Sequence, residues 1–151
     1  MKKLVKGSLT VLIVLLLVTL LFLSGVLGSF SPKHARLIYA ANSGRFELAA
    51  SRVLEQGGTS GIKRPNGVKD ISLYTTRSGC VDFYMGGFGL VPSSTYWGVI
   101  YAMEDLPTGF QGLAVDFTRE GEGWRWQEEN GDNTCCVVKL ADHWYWYEMS
   151  F

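Results

Sequence analysis

The chain holds 151 residues with 14 basic and 14 acidic side chains, so its formal net charge is zero. Setting aside the apolar N-terminal run leaves about 121 residues, which make one small domain with no second domain to close a cleft against. The charge is split: residues 1–65 carry nine Lys/Arg against two Asp/Glu, and residues 66–151 carry five against twelve. An acidic C-terminal half repels phosphate backbones, which argues against a nucleic-acid partner.

In chain order, the first element is a membrane anchor over residues 1–30. Lys2, Lys3 and Lys6 precede a stretch from Gly7 to Pro32 that carries no charge. From Leu9 to Phe30 it spans roughly 33 Å as a helix, enough to cross a bilayer. The apolar part is longer than the usual signal-peptide core, which favours an uncleaved signal anchor. Cleavage after Gly28, giving a secreted domain, is the alternative. The concentrated lysines place the N-terminus in the cytoplasm and the C-terminal domain outside, in the cell envelope. The bilayer is thus a partner through residues 9–30, and the basic flank is drawn to anionic head groups.

The second element is a juxtamembrane helix over 31–56. Ser31-Pro32 reads as N-cap and first helical position, and Gly57-Gly58 supply the stop. Phe46, Ala50, Val53 and Leu54 fall on one apolar stripe. Asn42-Ser43-Gly44 is a place where the helix could break or restart.

The third element is an antiparallel β domain over 57–151, opening with a loop to residue 67. Sixteen of the twenty Phe, Trp and Tyr lie in residues 74–151, including all five Trp. Turn residues interrupt this aromatic chain at short intervals, which predicts strands near 69–75, 80–87, 95–103, 122–128, 134–140 and 143–150, with a further short one at 112–117. The class is α+β: one helix packed on an antiparallel meander of about five or six strands.

Asn130-Gly131 is a strong hairpin signal. A two-residue loop there pairs Trp126 with Cys135 and Trp124 with Val137. A second tight turn at Ala141-Asp142 pairs Lys139 with Trp144 and Val137 with Trp146. Paired residues share a face. Trp124, Trp126, Trp144 and Trp146 then lie together, with Cys136, Val138, Tyr145 and Tyr147 opposite. The Trp face is expected to be core, leaving Tyr145 and Tyr147 half-exposed toward a partner. The alternative makes the four Trp a platform for sugar rings or peptide.

The segments SSTYWGVIYAMEDLPTGFQG, GWRW and ADHWYWYEMSF resemble an uncharacterised family of small single-anchor membrane proteins of gut-dwelling Gram-positive bacteria. The resemblance covers roughly residues 30–151. It implies an anchor, a helix and a short aromatic β domain, and it brings no activity, cofactor or catalytic residue.

No motif carries catalysis. Cys80, Cys135 and Cys136 read as buried thiols, or as a disulfide of Cys80 with Cys135 or Cys136. Zinc is disfavoured because no C-x2-C pair exists and only two His are present. Cys135, His143 and Asp142 cannot form a nucleophilic triad, because the predicted register separates Cys135 from His143 by roughly 16 Å. Paired carboxylates fall at turns: Glu104-Asp105, Glu120 with Glu122, and Glu128-Glu129 near Asp132. The expectation is a non-catalytic protein without cofactor or metal that binds a partner protein or cell-wall component. A glycan-binding module is the second reading.

Overall fold

A computed structural model of the protein describes residues 11–19, 32–75, 79–90, 93–113 and 115–151. Residues 11–19 are helical (α1) and expose their Leu, Val and Ile side chains. Among the described residues no helix is long and apolar enough to cross a membrane. The remainder of the anchor expected over 1–30, with Ser31 as N-cap, lies outside the described residues.

The helix α2 runs Pro32–Gln56. Its end is a Schellman motif: Gly57 takes φ +63° and the Gly58 N–H donates to the Val53 carbonyl at 3.2 Å. Only glycine takes that conformation without a Cβ penalty. The helix does not break at Asn42-Ser43-Gly44. The Asn42 Nδ2 instead donates back to the Ile38 carbonyl at 2.9 Å, and the turn continues. Its buried stripe is Ala35, Tyr39, Phe46, Ala49, Ala50 and Val53.

Seven antiparallel strands follow: β1 (Asp70–Tyr74), β2 (Cys80–Leu90), β3 (Ser93–Ala102), β4 (Thr118–Glu120), β5 (Gly123–Gln127), β6 (Thr134–Ala141) and β7 (Trp144–Ser150). Their spatial order is β1-β2-β3-β7-β6-β5-β4. This is two meanders joined where the last strand pairs with the third, rather than one continuous meander. Among the described residues no strand forms over the expected 112–117. Phe110–Gly112 form a 3-10 turn there, and the short edge strand β4 begins at Thr118.

The two hairpins differ from expectation in different ways. Trp126 does pair with Cys135, and Trp124 with Val137. The ladder stops at Gln127–Thr134, however, and neither Asn130 nor Gly131 adopts positive φ. The register is the expected one on a wider loop. At the second hairpin the turn is Asp142-His143, with Ala141 opposite Trp144 and a bulge between Lys139 and Ala141. Val137 consequently pairs with Tyr147 and Val138 with Trp146. A slip of one residue moves a strand's whole side-chain set to the other face. The four Trp therefore do not share a face.

Trp144 packs under α2, with ring centroids 5.7 Å from Phe46, 5.6 Å from Phe83 and 5.2 Å from Tyr39. Its indole N–H donates to Glu47 at 2.6 Å. Trp146 lies on the same face and is buried. Tyr145 and Tyr147 lie on the opposite face with Cys80, Cys135, Val137 and Met149, and Trp124 and Trp126 pack against this cluster half-buried. That face is covered by the loop after β3, through Phe110, Leu113 and Phe117. Tyr145 and Tyr147 are consequently core residues, 1% and 0% exposed, and not the half-exposed surface the sequence suggests. A helix on one side and a folded loop on the other bury both faces.

Candidate functional site

The opening on the loop-covered face lies where β1, β2 and β3 meet the 3-10 turn. In β1 and β2, Ser72 pairs with Asp82 and Asp70 with Tyr84, so all four point to that side. Tyr74, Tyr96, Phe110 and Gln111 complete a cleft of about 280 Å³. Tyr96 and Phe110 stack with centroids 5.1 Å apart and planes 7° from parallel. Tyr84 stands 6.3 Å from Tyr96, and Phe151 meets Tyr96 edge-on at 5.9 Å.

Asp82 sits at the base, 3% exposed. Its carboxylate accepts from the Tyr147 hydroxyl at 3.1 Å and from the Gln111 backbone N–H at 3.3 Å. The Gln111 donor is presented by a positive φ of 56°. Burial pushes the Asp82 carboxyl up to about 7 despite these two donors. The Tyr147 phenol is raised by burial and by the facing Asp82 charge. Gly98 makes the arrangement possible: a Cβ there meets the Tyr147 hydroxyl oxygen at 2.8 Å and the Phe83 carbonyl at 2.6 Å.

None of the six aromatics singled out in the sequence lines this cleft. Trp144, Trp146 and Tyr145 are buried structural groups, and Tyr147 reaches it from below, through Asp82 and through the Phe110 ring 5.8 Å away. Trp124 stands edge-on to Tyr145 at 6.0 Å and under Arg119 at 5.2 Å. All three cysteines are free thiols in the structure, the first of the two readings the sequence allows. Cys80 and Cys135 are fully buried, and burial pushes both up to about 12. Cys136 is half-buried on the α2 face, and its thiol is also raised by burial. Cys135 faces Met149 rather than Glu148. That leaves it six residues along β7 from His143, roughly 20 Å.

The turn-borne carboxylates split. Asp105 is a structural anchor: it accepts from Lys139 at 2.7 Å, the His143 backbone N–H at 2.8 Å and the Tyr145 hydroxyl at 2.9 Å. The Lys139 hydrogen bond leads the effects that hold its carboxyl down at about 2. This network fixes the Asp142-His143 turn, in which His143 takes φ +65° and stacks on Tyr101 at 5.5 Å. Among the described residues no group of three or more His, Cys, Asp or Glu is placed to hold a metal ion.

Sequence reasoning singled out none of the residues that line this cleft, Asp82, Tyr84, Tyr96 and Phe110 among them. The signal was present in Cys80-Val81-Asp82-Phe83-Tyr84, where an acid sits at an inward position of an otherwise apolar strand. No family model, no curated protein and no solved structure matches the chain.

Proposed function

We propose that the protein is a non-catalytic binding module of the cell envelope. A single N-terminal helix anchors it in the membrane, with the N-terminus in the cytoplasm and the α+β domain outside. The uncharged run from Gly7 to Pro32 behind three lysines supports the anchor. The observation that carries the binding role is the cleft. Tyr84, Tyr96 and Phe110 give it flat apolar walls, and Asp70, Ser72 and Asp82 give it acceptors. Such a lining fits the ring faces and hydroxyl donors of a sugar, which supports a cell-wall glycan as ligand. A partner-protein segment rich in hydroxyl or amide donors is the second reading of the same surface.

Two experiments test this. Alkaline carbonate should leave the protein in the membrane fraction, and protease on spheroplasts should digest the C-terminal domain. Release into the medium indicates the cleaved, secreted form, and protection from protease reverses the orientation. Full-length protein in detergent micelles should co-sediment with purified cell-wall sacculi and be displaced by soluble wall fragments. Absence of co-sedimentation contradicts the glycan reading.

A further inference from the structure

The outward face of α2 is not the ordinary polar back of a surface helix. Leu37, Ala41, Arg45, Leu48 and Arg52 recur on one stripe and are all exposed, Leu37 at 69% and Leu48 at 54%. Beside the stripe, Ile62 packs against the core and Pro65 is buried, so the loop is pinned and turns Lys63 and Arg64 outward. Arg45, Arg52, Lys63 and Arg64 line a groove of about 230 Å³ together with Leu48, Ala49 and Ile62. Among the described residues none of these four cations is paired with a carboxylate. A stripe that alternates leucine with arginine, next to an unneutralised basic groove, matches the boundary between phosphate head groups and acyl chains.

We propose that this face of α2, with Lys63 and Arg64, docks flat on an anionic phospholipid surface. The groove takes the lipid phosphate, and Leu37 and Leu48 enter the head-group boundary. The inference rests on the N-terminal run acting as a membrane anchor, which brings α2 to the bilayer. Its consequence is orientation. The sheet is sandwiched between α2 and the loop after β3, so docking on α2 turns the Asp82 cleft away from the membrane.

The test uses the full chain with Leu48→Cys carrying an environment-sensitive fluorophore. Cys136→Ser removes the half-buried thiol, and Cys80 and Cys135 are too buried to react. The labelled chain is reconstituted in phosphatidylcholine vesicles, alone or with an equal part of phosphatidylglycerol. With phosphatidylglycerol the dye should shift to the blue and resist aqueous iodide, and high salt should reverse both effects. Each basic residue is worth roughly fivefold in partitioning, so Arg45→Gln with Arg52→Gln should weaken docking about 25-fold. An exposed dye in both vesicle types, on a chain that floats with them, overturns the docking and leaves the anchor standing. Equal blue shifts in both types overturn the role of the anionic head group. A shift produced by inorganic phosphate in phosphatidylcholine vesicles assigns the groove to a soluble phosphate instead. If the chain fails to float with phosphatidylcholine, the anchor reading fails. Docking then stands or falls on whether phosphatidylglycerol vesicles added to the free chain shift the dye.

Discussion

The Tyr147 hydroxyl of β7 donates to the Asp82 carboxylate of β2 at 3.1 Å across the intervening strand β3, joining the core of the sheet to the floor of the open cleft. The contact is a buried acid held by one phenol and one backbone N–H, in surroundings that disfavour its charge.

That arrangement has a pH signature. Asp82 binds its proton more tightly in the folded state, with its carboxyl raised from 3.8 to about 7. Between those values the native state holds a proton that the unfolded chain has released. Stability therefore falls as pH rises from about 4 to 7, and flattens above the folded value. At about 1.4 kcal/mol per unit the fall is on the order of a few kcal/mol. Asp82→Asn keeps an acceptor for Tyr147 and removes the ionisation, so its denaturation midpoint should vary much less across that window. Glu148, also raised by burial, leaves a smaller slope of the same sign. Equal slopes in the two proteins contradict the buried-acid account.

Packing predicts that both layers of the sheet carry stability. Trp144→Ala removes a buried ring that touches Phe46, Phe83, Tyr39 and Tyr101, and should cost about 3–5 kcal/mol. Tyr147→Ala empties the other core and should cost a similar amount. The milder Tyr147→Phe leaves Asp82 one donor short and should cost about 1 kcal/mol. Urea titrations of the three variants check the ranking. A neutral Tyr147→Ala contradicts the burial of that face.

The two fully buried thiols should be inert, because burial pushes Cys80 and Cys135 up to about 12. Under native conditions iodoacetamide should add once, at Cys136. In denaturant without reductant it should add three times. A single adduct in denaturant reveals a disulfide and contradicts the free thiols.

Most of the architecture was legible because local signals and tertiary demand agreed. The helix stops at Gly57-Gly58, the apolar stripe around Phe46 faces the sheet, and Trp126 faces Cys135 as alternation requires. What was not legible depended on distant partners. The Asp142-His143 turn and the bulge beside Lys139 are held by Asp105, some 35 residues earlier in the chain. Nothing between Lys139 and Trp144 announces that contact, so the sequence suggests a turn one residue too early. That single slip carries Trp144 and Trp146 to the opposite face. The β3–β7 pairing, which makes two meanders of one, is likewise a long-range choice with no local mark. The cleft was hidden for a related reason: Tyr84, Tyr96 and Phe110 come from three segments, and only the 3-10 turn brings Phe110 onto Tyr96.

The central claim is that the cleft over Asp82 is the binding surface and the W-x-W tryptophans are structural. Co-sedimentation of full-length protein with sacculi, compared among wild type, Tyr96→Ala and Trp126→Ala, tests it most directly, with circular dichroism confirming that each variant folds. Loss of the stacked Tyr96 wall should weaken binding by about 1–3 kcal/mol, roughly fivefold to a hundredfold, while Trp126→Ala leaves binding within about twofold of wild type. Undiminished binding by folded Tyr96→Ala, with loss in Trp126→Ala, would place the ligand on the tryptophan edge and contradict the account.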